Sequence, residues 1–135
     1  MPNSLPGSHD VFTTQLPNGI TLWVRENQNS PAVVLDGTLR AGSAIYTQRA
    51  QAGLAALTAS MLMRGSIHTN FEQIHEQLES CGANLSVSSH IHTVDFGGKC
   101  LSEDLPFLLR LSAEVLRTPA FPADHFEKLR SEYRA

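Results

Sequence analysis

Gly53-Leu54-Ala55-Ala56-Leu57-Thr58-Ala59-Ser60-Met61-Leu62-Met63-Arg64-Gly65-Ser66 is the stretch where the chain changes its period. Leu54, Leu57, Thr58, Met61 and Leu62 fall at i, i+3, i+4, i+7 and i+8, the spacing of an amphipathic helix. Gly65 is placed to end it, because glycine accepts the left-handed backbone of a helix stop. The regular stretches before it read with period two.

Upstream, Val11 to Gln15 is rich in β-formers, and Leu16-Pro17-Asn18-Gly19 is a turn signal, since Asn-Gly accepts positive φ. Ile20, Leu22 and Val24 alternate with Thr21, Trp23 and Arg25, which predicts a hairpin. Val33, Leu35, Gly37 and Leu39 alternate again and predict a third strand ending at Gly42. The polar start with Pro2, Pro6 and Gly7 is expected to be an irregular arm over residues 1–10.

Downstream, Thr69-Asn70-Phe71-Glu72 fits a capping box with Thr69 as cap and Glu72 reaching back. Phe71, Ile74 and Leu78 form the stripe of the helix it opens, and Gly82 closes it. Leu85 and Val87, then Val94, Phe96, Gly98 and Cys100, predict a second hairpin turning near His90 to Thr93. Pro106 suits the first turn of a helix lined by Leu108, Leu111 and Val115. After Pro119 and Pro122 a last helix starts near Ala123 and is expected to run to Ala135. The order βββααββαα predicts an α+β fold, an antiparallel-rich sheet with helices packed on one face, over residues 11–135.

Bulk properties narrow the function. The 135 residues carry a formal net charge of -3, and no basic run suggests nucleic acid. No stretch reaches the apolar length of a membrane span. Residues 1–10 lack the basic start and apolar centre of a secretory signal. The compartment stays open. Cys81 and Cys100 form no CxxC and are read as two reduced, partly buried thiols, with a disulfide between them as the alternative.

The Gly53–Ser66 stretch resembles the zinc-site helix of the insulinase, pitrilysin and mitochondrial processing peptidase family, which reads G-x-A-H-x-x-E-H-M-x-F-K-G-T in active members. Gly53, Ala55, Met61, Arg64, Gly65 and Ser66 keep that frame. Leu16-Pro17-Asn18-Gly19, Leu39-Arg40-Ala41-Gly42-Ser43, Leu78-Glu79-Ser80-Cys81-Gly82-Ala83 and Pro119-Ala120-Phe121-Pro122 resemble further family segments, in family order. The resemblance implies the front part of a metallopeptidase domain, in a truncated chain or a fragment. It places the two zinc-binding His and the general-base Glu of H-x-x-E-H at Ala56, Ser60 and Ala59. Methyl groups cannot coordinate, and a neutral hydroxyl is a poor zinc ligand. No catalytic residue, no metal ligand and no cofactor are therefore expected in this chain, and zinc is expected in a partner domain or subunit. The family's third ligand, a Glu on the helix after Pro-Phe-Pro, has Glu132 as nearest candidate or falls beyond Ala135.

Further expectations follow from the resemblance. Asn84, Leu85, Ser86, Val87 and Ser88 match the strand to which active relatives add substrate backbone. The expected role is a non-catalytic half that builds a peptide-binding chamber with a zinc-bearing partner, either as a separate subunit or as the second repeat of a fused peptidase. A scaffold subunit, or a fragment of an active zinc metalloendopeptidase whose metal lies in another domain, is the alternative. Unfolded peptide and self-association through an open sheet edge complete the expected partners. His90 and His92 form an HxH pair that would share a face on a strand, the one place for a relocated metal. A polar, solvated turn is the competing reading.

Overall fold

The computed structural model describes residues 7–45, 48 and 51–133. Residues 1–6 of the expected arm and residues 134 and 135, to which the last helix is expected to run, lie outside the described residues; the helix itself is described over Ala123–Glu132. The chain divides into two compact units, Met1–Pro31 and Ala32–Ala135.

The first unit is the predicted hairpin. Strands β1 (Val11–Gln15) and β2 (Thr21–Arg25) pair antiparallel, with Thr13 opposite Trp23. Gly19 holds φ of 88° in the turn, and the Leu16 amide donates to the Ile20 carbonyl at 2.8 Å. Only Thr14 of the strand residues is half-buried; Phe12 and Trp23 are 64% and 71% exposed.

The second unit carries β3 (Ala32–Leu39), α1 (Leu54–Leu62), α2 (Phe71–Ser80), β4 (Asn84–Ser89), β5 (Val94–Leu101), α3 (Leu105–Arg117) and α4 (Ala123–Glu132). Its three strands run antiparallel in the order β3-β5-β4. The register sets Leu35, Gly98 and Leu85 side by side, with Gly37, Phe96 and Val87 in the next row. Both rows lie on the apolar face, because alternate residues of a strand share a side. Each row holds a glycine at a point of close approach. The Phe96 ring covers Gly37, and the Asn84 carbonyl lies where a Cβ on Gly98 would stand.

Leu85 and Cys100 from that face join Ile74 and Leu78 of α2 and Leu108, Leu111 and Val115 of α3 in the core. α3 lies against β5, and both α1 and α2 lie against β4. The opposite face shows Asp36, Thr38, Lys99, Asn84, Ser86 and Ser88 to solvent.

Three local expectations are corrected. The stripe of α1 is rotated: Ala55, Ala59, Met61 and Leu62 are buried, whereas Leu54 is 40% exposed and Thr58 is exposed. Small side chains face inward because α1 closes directly on β4, where bulk would hold it off. The cap of α2 is Asn70, one residue later than expected. Its side chain accepts from the Gln73 amide at 2.8 Å, and Gln73 Oε1 accepts from the Asn70 amide at 3.0 Å. Strand β3 ends at Leu39, short of Gly42, as the chain turns to pair Ser43 and Ala44 with the His90 and Ile91 carbonyls.

Other signals hold. Gly82 (φ 61°) ends α2 with the paired bonds of a Schellman stop, Gly82 to Glu79 and Ala83 to Leu78. Pro106 sits in the first turn of α3. The Cys100 thiol is buried, which pushes its pKa up, and the nearby Asp104 and Cys81 add to that; both cysteines are free thiols.

Candidate functional site

The candidate site begins on α1, whose first turn follows Gly53 at φ 82°. Positions i, i+3 and i+4 of a helix share one side, and Ala56, Ala59 and Ser60 have that spacing. Ala59 is 2% exposed, while Ala56 and Ser60 are half-buried. Beside Ala59 lies an apolar recess of about 80 Å³, lined by Ala41, Ile45, Ala55, Thr58, Leu62 and Val94. None of the residues lining the recess is titratable, and its surface is mainly apolar.

Ser60 has a partner that the sequence reading missed. Its Oγ lies 3.0 Å from the Tyr133 hydroxyl. Leu129 is the buried residue of α4, and Phe126, Leu129 and Tyr133 follow at i, i+3 and i+7. That spacing was the available signal. Glu132, the sequence candidate for a ligand, is exposed one residue away, and the helix brings Tyr133 to α1 instead.

The loop after α1 is anchored to α3 by one carboxylate. Ser66 Oγ donates to Glu114, Thr69 Oγ1 donates to Glu114 at 2.8 Å, and the Ser66 hydroxyl accepts from the His68 and Thr69 amides at 3.0 and 2.8 Å. The Ser66 hydrogen bond holds the Glu114 carboxyl below the usual carboxylate range. Burial opposes this, while Thr69, His68 and Arg110 assist. The Ile67 amide donates to Thr118 and the Ala120 amide to Gly65, so the helix end, the loop and the Pro119–Pro122 link form one hydrogen-bonded junction.

β4 forms an edge of the three-stranded sheet. His90 pairs with Thr93 at the hairpin end, the amide donating at 2.8 Å. Hydrogen-bonded pairs alternate along an antiparallel ladder, so Ser88, Ser86 and Asn84 bond to β5. Leu85, Val87 and Ser89 therefore turn their main-chain N–H and C=O groups away from it. Of the sequence candidates, Leu85 is buried and Val87 half-buried against the helices, while Asn84, Ser86 and Ser88 are exposed. Asn84 Oδ1 is already taken by the Lys99 amide at 2.8 Å.

His90 and His92 lie in the connection after β4, not on a strand, so no pleat gives them a common face. His90 Nε2 is 3.4 Å from both Ser88 Oγ and Asp95 Oδ2. Among the described residues no group of three or more His, Cys, Asp or Glu could hold a metal ion, and no helix is long and apolar enough to cross a membrane.

Comparison with known proteins gives one family. The family model described as Insulinase (Peptidase family M16) matches residues 23–135. Among solved structures, an inactive domain of a peptidase M16 from Pseudomonas fluorescens superposes with a TM-score of 0.82 at 26% identity, covering 91% of this chain and 30% of that one. A variant of the ferredoxin protease FusC, solved in complex with Arabidopsis ferredoxin, superposes with a TM-score of 0.77 at 23% identity over 90% of this chain. This chain spans 14% of that protein's length.

Proposed function

Because this chain belongs to the insulinase family of peptidases, family M16, we propose that it is a non-catalytic domain that pairs with a zinc-bearing half to enclose a chamber for unfolded peptide. The observation that carries this reading is the side of α1 at Ala56, Ala59 and Ser60. Two methyl groups and a hydroxyl engaged with Tyr133 supply neither metal ligand nor general base where the family resemblance assigns them. Water is not activated there, and no proton acceptor is placed to take its proton. The similar domain from Pseudomonas fluorescens, described as inactive, supports the same assignment.

Peptide would bind at β4. Its outward main-chain groups at Leu85, Val87 and Ser89 can receive an extended strand, which needs backbone hydrogen bonds more than particular side chains. α1 lies against the same strand, so a bound segment would run beside the recess near Ala59.

The test uses this chain with a zinc-bearing family half and a fluorescent, unstructured polypeptide. Anisotropy should report binding by the pair, and turnover that zinc chelation abolishes. Val87→Pro removes one outward N–H and should weaken binding roughly tenfold, the loss of about one hydrogen bond. Circular dichroism checks that the variant folds. Chelator-sensitive turnover by this chain alone would overturn the proposal, as would unchanged binding by a folded Val87→Pro chain.

A further inference from the structure

The end of the β4–β5 hairpin brings three donor atoms together. His90 Nε2 stands 3.4 Å from Asp95 Oδ2 and 3.4 Å from Ser88 Oγ. Ser88 lies directly opposite Asp95 in the β4–β5 register, and His90 reaches both. The main chain here is held from two sides. The His90 amide donates to the Thr93 carbonyl at 2.8 Å, while the Ser43 and Ala44 amides donate to the His90 and Ile91 carbonyls at 3.0 and 2.7 Å. The fold thus sets the three side chains in place, and those of His90 and Asp95 both reach solvent.

Hydrogen bonding does not account for the spacing. A bond at a nitrogen is about 2.7–3.2 Å long, and both contacts exceed that. Nε2 also offers either one proton or one lone pair, so it serves one neighbour at a time. The carboxylate is under-supplied as well. Asp95 Oδ1 is buried and has no hydrogen-bond partner, and the residues opposite Asp95 on its two neighbouring strands, Thr38 and Ser88, carry no charge. Buried acceptors are rarely left so, and this carboxylate keeps a demand for positive charge.

We propose that His90, Asp95 and Ser88 form a binding site for a divalent transition-metal ion of the zinc class. Atoms bound at roughly 2.0–2.1 Å around a tetrahedral ion stand about 3.3–3.4 Å from one another. That is the separation on both sides of Nε2. Imidazole with carboxylate suits zinc, nickel and copper, whereas calcium and magnesium favour oxygen alone. His90 Nε2 and Asp95 Oδ2 supply the two strong bonds. Ser88 Oγ adds a weak third, and water takes the open position. Structural zinc sites have four strong ligands and catalytic ones three; with two, this ion exchanges with solvent and leaves on dialysis. Occupancy ties the hairpin end to β5 through one ion.

His92, which the sequence pairs with His90, takes no part. The site also uses no residue of α1 and no outward main-chain group of β4, so it and the peptide-binding proposal can fail separately. His9 meets a carboxylate too, Asp10 at 3.3 Å, but the second Asp10 oxygen already accepts from the Gly7 amide.

Titration calorimetry of the dialysed chain with zinc chloride tests the site. One saturable zinc per chain is expected, and a large excess of calcium should leave it unchanged. His90→Ala should abolish binding. Asp95→Asn should weaken it at least about tenfold, the lower bound for losing a group that only supports a ligand. His92→Ala should leave it intact. In NMR spectra of the unsubstituted chain, zinc should move the His90 ring signals before those of any other histidine, a readout that needs no variant. The proposal would be overturned by the absence of saturable zinc, by displacement with calcium, or by zinc shifts centred on another histidine. Binding that survives His90→Ala or Asp95→Asn in chains shown to fold by circular dichroism, or that is lost with His92→Ala, would overturn it equally.

Discussion

The Ser60 hydroxyl on α1 and the Tyr133 hydroxyl at the end of α4 lie 3.0 Å apart, so two neutral groups join the helices on the side where the family resemblance assigns a metal. The bond is solvent-accessible, with Tyr133 55% exposed. Tyr133→Phe and Ser60→Ala should each lower stability by under about 1 kcal/mol, and a double-mutant cycle should show a coupling of about 0.5 kcal/mol. Metal analysis after dialysis should find no stoichiometric zinc. About one tightly held zinc per chain would contradict the assignment.

Ala59 and Ala56 should respond differently to the same new carboxylate. At 2% exposure, Ala59→Glu buries a charge against apolar neighbours and should cost at least about 3 kcal/mol. Ala56 is half-buried, and Ala56→Glu can turn its carboxylate to water, losing roughly 1 kcal/mol or less. Urea melts of the two variants give the ranking. Equal losses would place both side chains in one environment.

Glu114 links stability to pH. Its folded pKa is lowered, first by the Ser66 hydrogen bond. The stabilisation it gives is therefore present above the unfolded value, about 4.3, and is lost as pH falls through the lower folded value. Glu114→Gln should lose roughly 1 to 2 kcal/mol at neutral pH, toward the lower end because the group is partly exposed. The difference from the parent chain should shrink in acid. A constant difference across pH would show that packing rather than charge anchors the junction.

Gly98 and Gly37 should rank in a fixed order. A Cβ on Gly98 meets the main chain of Asn84 and Leu85, whereas one on Gly37 meets only the Phe96 ring. A ring can rotate away, but a paired strand cannot. Gly37→Ala should cost about 1 to 2 kcal/mol and Gly98→Ala about 3 kcal/mol or more. Thermal melts test the order, and its reversal would mean that β4 can shift away from β5.

The elements themselves were legible because each has a strong period and a clear stop. Asn18-Gly19, Gly82 and Pro106 all act as the sequence predicts. Leu54 misled because hydrophobicity alone ranks it above Ala55, while tight packing of α1 on β4 selects the smaller residue. Thr69 misled because two adjacent residues can each cap, and only the fold shows Glu114 drawing Thr69 away and leaving the cap to Asn70. The meeting of Ser60 and Tyr133 spans 73 positions, a pairing that no local pattern encodes. In the opposite sense, Ala56, Ala59 and Ser60 were singled out only through a family resemblance, since their chemistry alone attracts no attention.

The burial of Ala59 also constrains substitution. With its methyl group enclosed beside the recess, Ala59 is a poor place for a charged side chain to appear first, because a lone carboxylate there would have to be desolvated with no partner. Larger polar side chains are easier to place at the more open positions 56 and 60, the latter at the cost of the Tyr133 contact. The enclosed small residues of one helix face thus act as a filter on which substitutions this surface can accept, and in what order.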